Sequence, residues 1–432
     1  MLVQVLVAIA DGVFIGWLGI DALAGIALVV PFVALMFNVA NGGMGGGVAS
    51  SLSRALGGDR LDDARAIVLH AFIIAAFFAL AFVLFDWFAA RRIFQLLGGS
   101  GAALDQAVIF SHVMFNGAIA IWLAAFSSAL LRGSGNAVTP AKRGLFASII
   151  YVPLSGLLMI GAGDWPGFGL AGSAIASIVV ASGTAYLNTR TIFAGRLGFI
   201  PDFKQIRLRW MIFRDILRVG LLGSATTLLA TLTATLTIGL VSHFGVAALA
   251  GYGIGVRLEY MLAPIAFGIG SGLTTLVGVA VGAKAWQRAM TITWIGGAIA
   301  SGSIGVIGWA AAFWPEPWAK MFASDPDVIG ITASYIRYVA PFYFLFGFVT
   351  SINFASQGSG RMVAPVAAGF ARLVVTIGVG WFIVEHTEFG LKGVFVSIAV
   401  GMFASAIVIF CSLLASPWRD AEQNMRSIKP AN

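Results

Sequence analysis

The amino-acid sequence repeats itself at an offset of roughly half its length. Gly133-Ser134-Gly135 with Pro140 returns 225 residues later as Gly358-Ser359-Gly360 with Pro365. Gly19-Ile20-Asp21-Ala22-Leu23-Ala24-Gly25 returns 226 residues later as Gly245-Val246-Ala247-Ala248-Leu249-Ala250-Gly251. Phe168-Gly169-Leu170-Ala171-Gly172 returns at 221 as Phe389-Gly390-Leu391-Lys392-Gly393, and Gly42 and Gly46 return at 226 as Gly268 and Gly272. Glycine is abundant here, so one match would mean little. Four in the same order, with offsets drifting by only five residues, mark duplicated halves. In an apolar chain, such a duplication implies a transporter with its site between the halves.

That the chain is apolar follows from its composition. It is 59% hydrophobic and 10% charged, with a mean hydropathy of +0.95, whereas soluble domains are about 25% charged. Uncharged apolar runs such as 107–131, 144–163, 170–189 and 289–313 can each cross a hydrocarbon core about 30 Å thick as a helix. Lipid cannot satisfy exposed backbone groups, so helices must do the crossing; the runs are too long and uniform for barrel strands. The single cysteine, Cys411, excludes an intrachain disulfide and a cysteine metal cluster. No metal-ligand cluster and no cofactor motif is read.

The expected fold class is all-α and integral to the membrane, with twelve transmembrane helices in two six-helix lobes. The spans read 1–17, 23–51, 66–86, 106–131, 144–163, 170–189, 219–242, 247–273, 289–313, 333–356, 363–384 and 393–415. Nineteen Lys and Arg fall in the loops after even-numbered spans or in the C-terminal tail, and four (Arg91, Arg92, Lys320 and Lys392) fall in the other loops. Positive loops remain cytoplasmic, so both termini are expected inside, in the inner membrane. The net charge of +8 is thus a topology signal, and no nucleic-acid partner is expected. Six spans per half insert the same way up, which implies a pseudo-two-fold axis along the membrane normal. The expected domains are 1–193, an N-terminal lobe; 194–216, a cytoplasmic linker; 217–418, a C-terminal lobe; and 419–432, a cytoplasmic tail. The linker region carries an amphipathic stretch, 203–214, suited to the membrane surface; a regulatory element is the other reading. The seventh span begins near Val219, which maps to a position before Met1, so the first helix reads as shortened. No basic region or cleavage site of a signal peptide is present; a shortened chain or a misassigned start codon explains the mismatch.

Several fragments together resemble one family. Asp11-Gly12-Val13-Phe14-Ile15-Gly16-Trp17-Leu18-Gly19 is similar to a D-x-x-x-x-G-x-L-G stretch of its first helix, and Arg54-Ala55-Leu56-Gly57-Gly58-Asp59 to the loop after its second. Leu131-Arg132-Gly133-Ser134-Gly135-Asn136 with Pro140, Gly169 through Ser177, and Leu276 through Ala283 resemble later motifs in the same order. The chain resembles the MATE (multidrug and toxic compound extrusion) transporters, of prokaryotic type. The resemblance implies two six-helix lobes that rock between outward- and inward-open forms. It also implies export of organic cations and other drugs, as a monomer in the lipid bilayer, by antiport against H⁺ or Na⁺.

Asp11 is the first candidate for ion coupling. It sits in the first span with no basic residue near it in sequence. An acid at mid-membrane costs about 2.5–3.5 kcal/mol on insertion scales, and such a group can carry a proton when neutral or hold a cation when ionised. The alternative is an interfacial Asp with a structural hydrogen bond. The resemblance places the coupling carboxylate here, but the fifth span departs from the family: Tyr151 stands at the place of an Asn and Ser155 at that of a second Asp, while Ser177 replaces a sixth-helix Thr. A hard cation wants several oxygens and charge; one carboxylate with hydroxyls is a thin Na⁺ site and adequate for a proton. H⁺ is the favoured coupling ion.

Arg257 and Glu259 lie inside the eighth span, two residues apart, and do not face one another on a helix. Glu259 is a candidate for cationic substrate or for a second coupling role; a structural ion pair is the alternative. Arg372 is expected to snorkel to the interface. His112 reads as a hydrogen-bonded core histidine. Asn38, Asn41 and Asn116 are expected to face the bundle or the substrate cavity, as is Tyr151, since lipid-facing amides are costly. The pairs Gly42/Gly46 and Gly268/Gly272 read as close-packing helix faces.

Three rival functions are weighed. No nucleotide-binding P-loop occurs, which excludes a self-contained ATP pump. A lipid-linked saccharide flippase of the same superfamily carries more spans or a basic cavity. Another twelve-helix secondary transporter, of the major facilitator type, would show its basic loop between the second and third spans. An intramembrane enzyme would need paired acids or a histidine cluster, and no enzyme is read.

Overall fold

The computed structural model describes residues 2–201 and 208–415. The first residues of the amphipathic stretch, to 207, and the 419–432 tail lie outside them.

The described chain is helical, with one isolated bridge between Ala162 and Trp165. The helices are α1 Leu2–Trp17, α2 Ile20–Asn38, α3 Gly45–Gly57, α4 Leu61–Phe85, α5 Arg91–Leu96, α6 Gly101–Asn116, α7 Ala118–Gly133, α8 Val138–Ile160 and α9 Ala171–Phe193. They continue as α10 Trp210–Ser242, α11 Val246–Gly282, α12 Trp286–Phe313, α13 Pro315–Lys320, α14 Pro326–Val339, α15 Tyr343–Ser359, α16 Val363–His386 and α17 Gly390–Leu414. Two π-helical turns, Val39–Met44 and Asp86–Ala90, join α2 to α3 and α4 to α5. A 3₁₀ turn, Ala340–Phe342, joins α14 to α15.

Helical segments therefore stand at all twelve expected positions. Among the described residues, nine helical runs are long and apolar enough to cross a membrane, and α6 with α7, bent by 47°, makes a tenth. The other two are α1, with 16 residues, and α9, which is rich in Ser and Thr. Span ends differ from the hydropathy reading where a π turn carries the helix on: the third runs to Leu96 rather than to 86. Asp86, Arg91 and Arg92 lower the local hydropathy there, but the backbone ladder does not break.

The chain forms two compact units. One contains the residues up to Gly220 apart from Gly57–Asp59; the other contains Gly57–Asp59 and the residues from Leu221 on. Each has its own core. The first is built on Trp122, which is fully buried and stacks on Phe78 at 4.9 Å between ring centres. The second is built on Tyr335, Tyr343 and Phe395, all fully buried, with Tyr335 edge-on to Phe395 at 5.3 Å. Lipid supplies no hydrophobic drive between helices, so close contact does the work. Gly172 shows it: a Cβ there would collide with the backbone of Leu158, where α9 crosses α8.

The expected close packing at Gly268/Gly272 is not found. A Cβ at either meets nothing within 4 Å; the tight position on α11 is Gly270, against the Phe354 ring of α15. Two residues further round the helix, the glycine face turns from open space to a neighbour.

The start of α10 is fastened to the first unit. Asp215 accepts from Arg54 Nη2 at 2.8 and 2.9 Å and from Ser51 Oγ at 2.6 Å. Arg209 pairs with Asp63 at 2.8 Å, and its backbone N–H donates to Nε2 of the buried His70 at 3.0 Å. His70 Nδ1 donates to the Ala66 carbonyl at 2.8 Å, so the ring is held as one tautomer.

Candidate functional site

α1 and α8 pack face to face in the first unit. Phe14 of α1 lies against Gly156 of α8, where a Cβ would come within 2.9 Å of its ring. Asp11 is three residues before Phe14 and therefore on the same side of α1. On α8, Tyr151 and Ser155 are four residues apart and share one face. These two spacings converge. The Tyr151 hydroxyl donates to Asp11 Oδ2 at 2.7 Å, and Ser155 Oγ donates to Asp11 Oδ1 at 2.9 Å. Ser177 on α9 neighbours the Tyr151 hydroxyl. Ser155 is buried; Asp11, Tyr151 and Ser177 are partly buried. Among the described residues no Lys or Arg pairs with Asp11.

Both carboxylate oxygens thus have one hydroxyl donor each, an arrangement suited to an ionised acid. Adding a proton turns one oxygen into a donor, and the hydroxyl facing it must then rotate to accept. Protonation and α1–α8 contact are therefore linked by geometry.

The second unit holds its acid differently. Arg372 Nη2 on α16 donates to Glu259 Oε1 on α11 at 3.2 Å, with side chains 23% and 14% exposed. Arg372 is therefore engaged inside the unit; the snorkelling expected of it is corrected, because a partly buried carboxylate 113 residues away in sequence offers a better partner. Arg257 points elsewhere, over the Phe322 ring at 5.3 Å. The aromatic hydroxyl groups of Tyr252, Tyr335 and Tyr343 belong to the same unit, with Tyr252 edge-on to Tyr335 at 5.5 Å.

No hydrogen bond among the described residues joins Asn38, Asn41 or Asn116 to Asp11. Asn38 is exposed at the end of α2, and Asn41 donates to the Phe37 carbonyl at 3.0 Å inside the first π turn. Asn116 sits at the α6–α7 bend, where it accepts from Trp87 Nε1 at 3.1 Å and donates to the His112 carbonyl at 2.7 Å. His112 itself bonds Asp86, a residue that the hydropathy reading leaves at a span end.

Comparison with known proteins fits this layout. The MatE family model matches residues 1–157 and again 224–382. The chain belongs to the MatE family. It is a multi-pass membrane transporter, not an enzyme. It is 24% identical over 430 residues to the probable multidrug resistance protein NorM of Thermotoga maritima, covering 96% of this chain and 89% of that protein. It is 26% identical over 378 residues to an FAD transporter of Shewanella oneidensis, covering 85% and 81%. Among solved structures, an outward-facing multidrug resistance MATE family transporter of the MOP superfamily superposes with a TM-score of 0.89 at 22% identity, over 98% of this chain and 93% of the other. That likeness is one of fold, the twelve-helix architecture expected above.

Proposed function

We propose that this MatE family member is a multidrug efflux antiporter of the inner membrane, exporting organic cations in exchange for protons, with both termini cytoplasmic. The observation that carries the reading is the environment of Asp11: a carboxylate inside a membrane helix, held by two hydroxyls and, among the described residues, by no cation. An intramembrane acid without a counter-ion is unfavourable as an anion, so it binds a cation or a proton in part of the transport cycle. Among the described residues only Tyr151 and Ser155 bond the carboxylate, with Ser177 behind, and no second carboxylate joins them. Sodium prefers more oxygen ligands and more charge; a proton needs one oxygen.

Protonation from the outside neutralises Asp11, turns one hydroxyl and repacks α1 against α8. Release of substrate accompanies that change, and deprotonation to the cytoplasm resets it. Each charge moved through 100 mV supplies about 2.3 kcal/mol. Glu259 is the candidate for the cationic substrate, which would compete with Arg372 for its carboxylate.

The test is flux of a fluorescent organic cation in vesicles carrying either a pH gradient or a Na⁺ gradient. A pH gradient alone should drive uptake into inverted vesicles, and Asp11→Asn should abolish it. Uptake driven by Na⁺ with the pH gradient collapsed would overturn the choice of ion.

A further inference from the structure

Asp86 is the deepest-held acid of the first unit and the mechanism above leaves it unused. It opens the π turn Asp86–Ala90, inside the 36-residue helical run Leu61–Leu96. An acid enclosed within a transmembrane helical run is costly and marks a functional position by default, and π turns recur at functional positions. The turn sends the Asp86 side chain inward, wholly enclosed, while Trp87 and Phe88 face out at 68% and 78% exposure.

No arginine or lysine meets this carboxylate among the described residues. Its partners are Ser111 Oγ, which donates to Oδ1 at 2.8 Å, and Nδ1 of His112, which bonds Oδ2. A carboxylate accepts from Nδ1–H, so Nε2 is left as the base of the imidazole. The His112 side chain is 47% exposed, beside the Trp87 ring at 6.0 Å. Asn116 links the same groups, accepting from Trp87 and donating to the His112 carbonyl. The cluster is thus a buried anion, an oriented imidazole and one open nitrogen, set beside the 47° bend between α6 and α7.

Among the described residues, the neighbouring elements bring no other ionisable group to the pair. On α2, Asp21 is one turn before Gly25, which itself lies against Ala103 and Gln106, towards the far end of α6 from His112. On α5, Arg91 is engaged by Asp105 at 3.3 Å and Arg92 is exposed. The ionisable residues of α4 (Asp62, Asp63, Arg65 and His70) are in its first ten residues, at the opposite end from Asp86. Arg132 is in the last turn of α7, and Tyr186 and Arg190 on α9 lie more than two turns beyond Ile178, which touches Gly117.

We infer that Asp86 and His112 form a second proton-binding site of the first unit, in which one proton enters and leaves at His112 Nε2. The pair passes between a net-neutral and a singly negative form. It shares no residue with the Asp11 site, and the inference does not depend on Asp11 being the coupling group.

The test is histidine-selective ¹⁵N NMR of the full chain in lipid nanodiscs, titrated from about pH 5 to pH 9, with His112 assigned by the signal lost in His112→Gln. Neutral His112 should carry its proton on Nδ1, and Nε2 should titrate in one step within that range. Asp86→Asn should weaken the bond at Nδ1–H, read as a changed His112 ring ¹⁵N spectrum, and leave the His243 and His386 signals unmoved. Asp11→Asn should leave the His112 titration in place, which separates the two sites. If Asp86→Asn fails to fold, the wild-type tautomer and Ser111→Ala, which keeps the pair but removes one donor to the carboxylate, still decide. A neutral His112 protonated on Nε2, no uptake of a proton at Nε2 across the range, or an unchanged His112 ring spectrum in Asp86→Asn would each overturn the assignment.

Discussion

The two units each place an acid inside a membrane helix, and they neutralise it in opposite ways. Among the described residues Asp11 has two hydroxyl donors and no cation, while Glu259 has Arg372 at 3.2 Å. A hydroxyl can reverse its role when a proton arrives; an arginine cannot, since it has no acceptor and does not lose its charge. On the mechanism proposed above, the first acid changes charge state, while the second is held by a fixed cation until another replaces it. The duplicated halves thus hold their acids differently, one among hydroxyls and one in a charge pair.

The largest effect expected from this contrast is at Asp11. Asp11→Asn keeps the shape and removes the titration; gradient-driven efflux should fall by more than about tenfold, the equivalent of 1.4 kcal/mol, with expression unchanged. The matching change in the other unit should act first on stability. Arg372→Ala leaves Glu259 partly buried without its partner, and a loss of about 3 kcal/mol is expected, at the low end for broken buried pairs; combining it with Glu259→Gln should restore most of the thermal stability. If the single and double variants melt alike, the pair is not what holds Glu259.

Tyr151→Phe probes the hydroxyl shell. It removes one donor to Asp11, worth about 1.5 kcal/mol for a bond to a charged group, and should displace the pH profile of export. An unmoved profile would mean that Asp11 does not set it. Smallest is Arg257→Ala, which removes a cation–π contact with Phe322 and should lower stability by about 0.5–1 kcal/mol with transport coupling intact.

Much of this was legible in the residues. The repeat and the apolar runs led to twelve helical segments, and the resemblance to the family led to Asp11, Tyr151, Ser155 and Ser177, which the fold brings together. What stayed hidden depends on contacts between distant positions or on backbone that ignores hydropathy. The Glu259–Arg372 pair spans 113 residues and carries no local signature. Asp86 was hidden because an acid followed by two arginines reads as a helix end, whereas a π turn carries the helix through it. Asn116 reads as a cavity amide but is spent on Trp87 and the His112 carbonyl at the bend.

The central claim is that Asp11 exchanges a proton against substrate, and its most direct test is proton release on substrate addition in weakly buffered solution. Wild-type protein should release roughly one proton per bound cation, and, because linkage is reciprocal, substrate affinity should fall as the site is protonated. Asp11→Asn should bind the cation without releasing a proton. Undiminished release from Asp11→Asn would contradict the account.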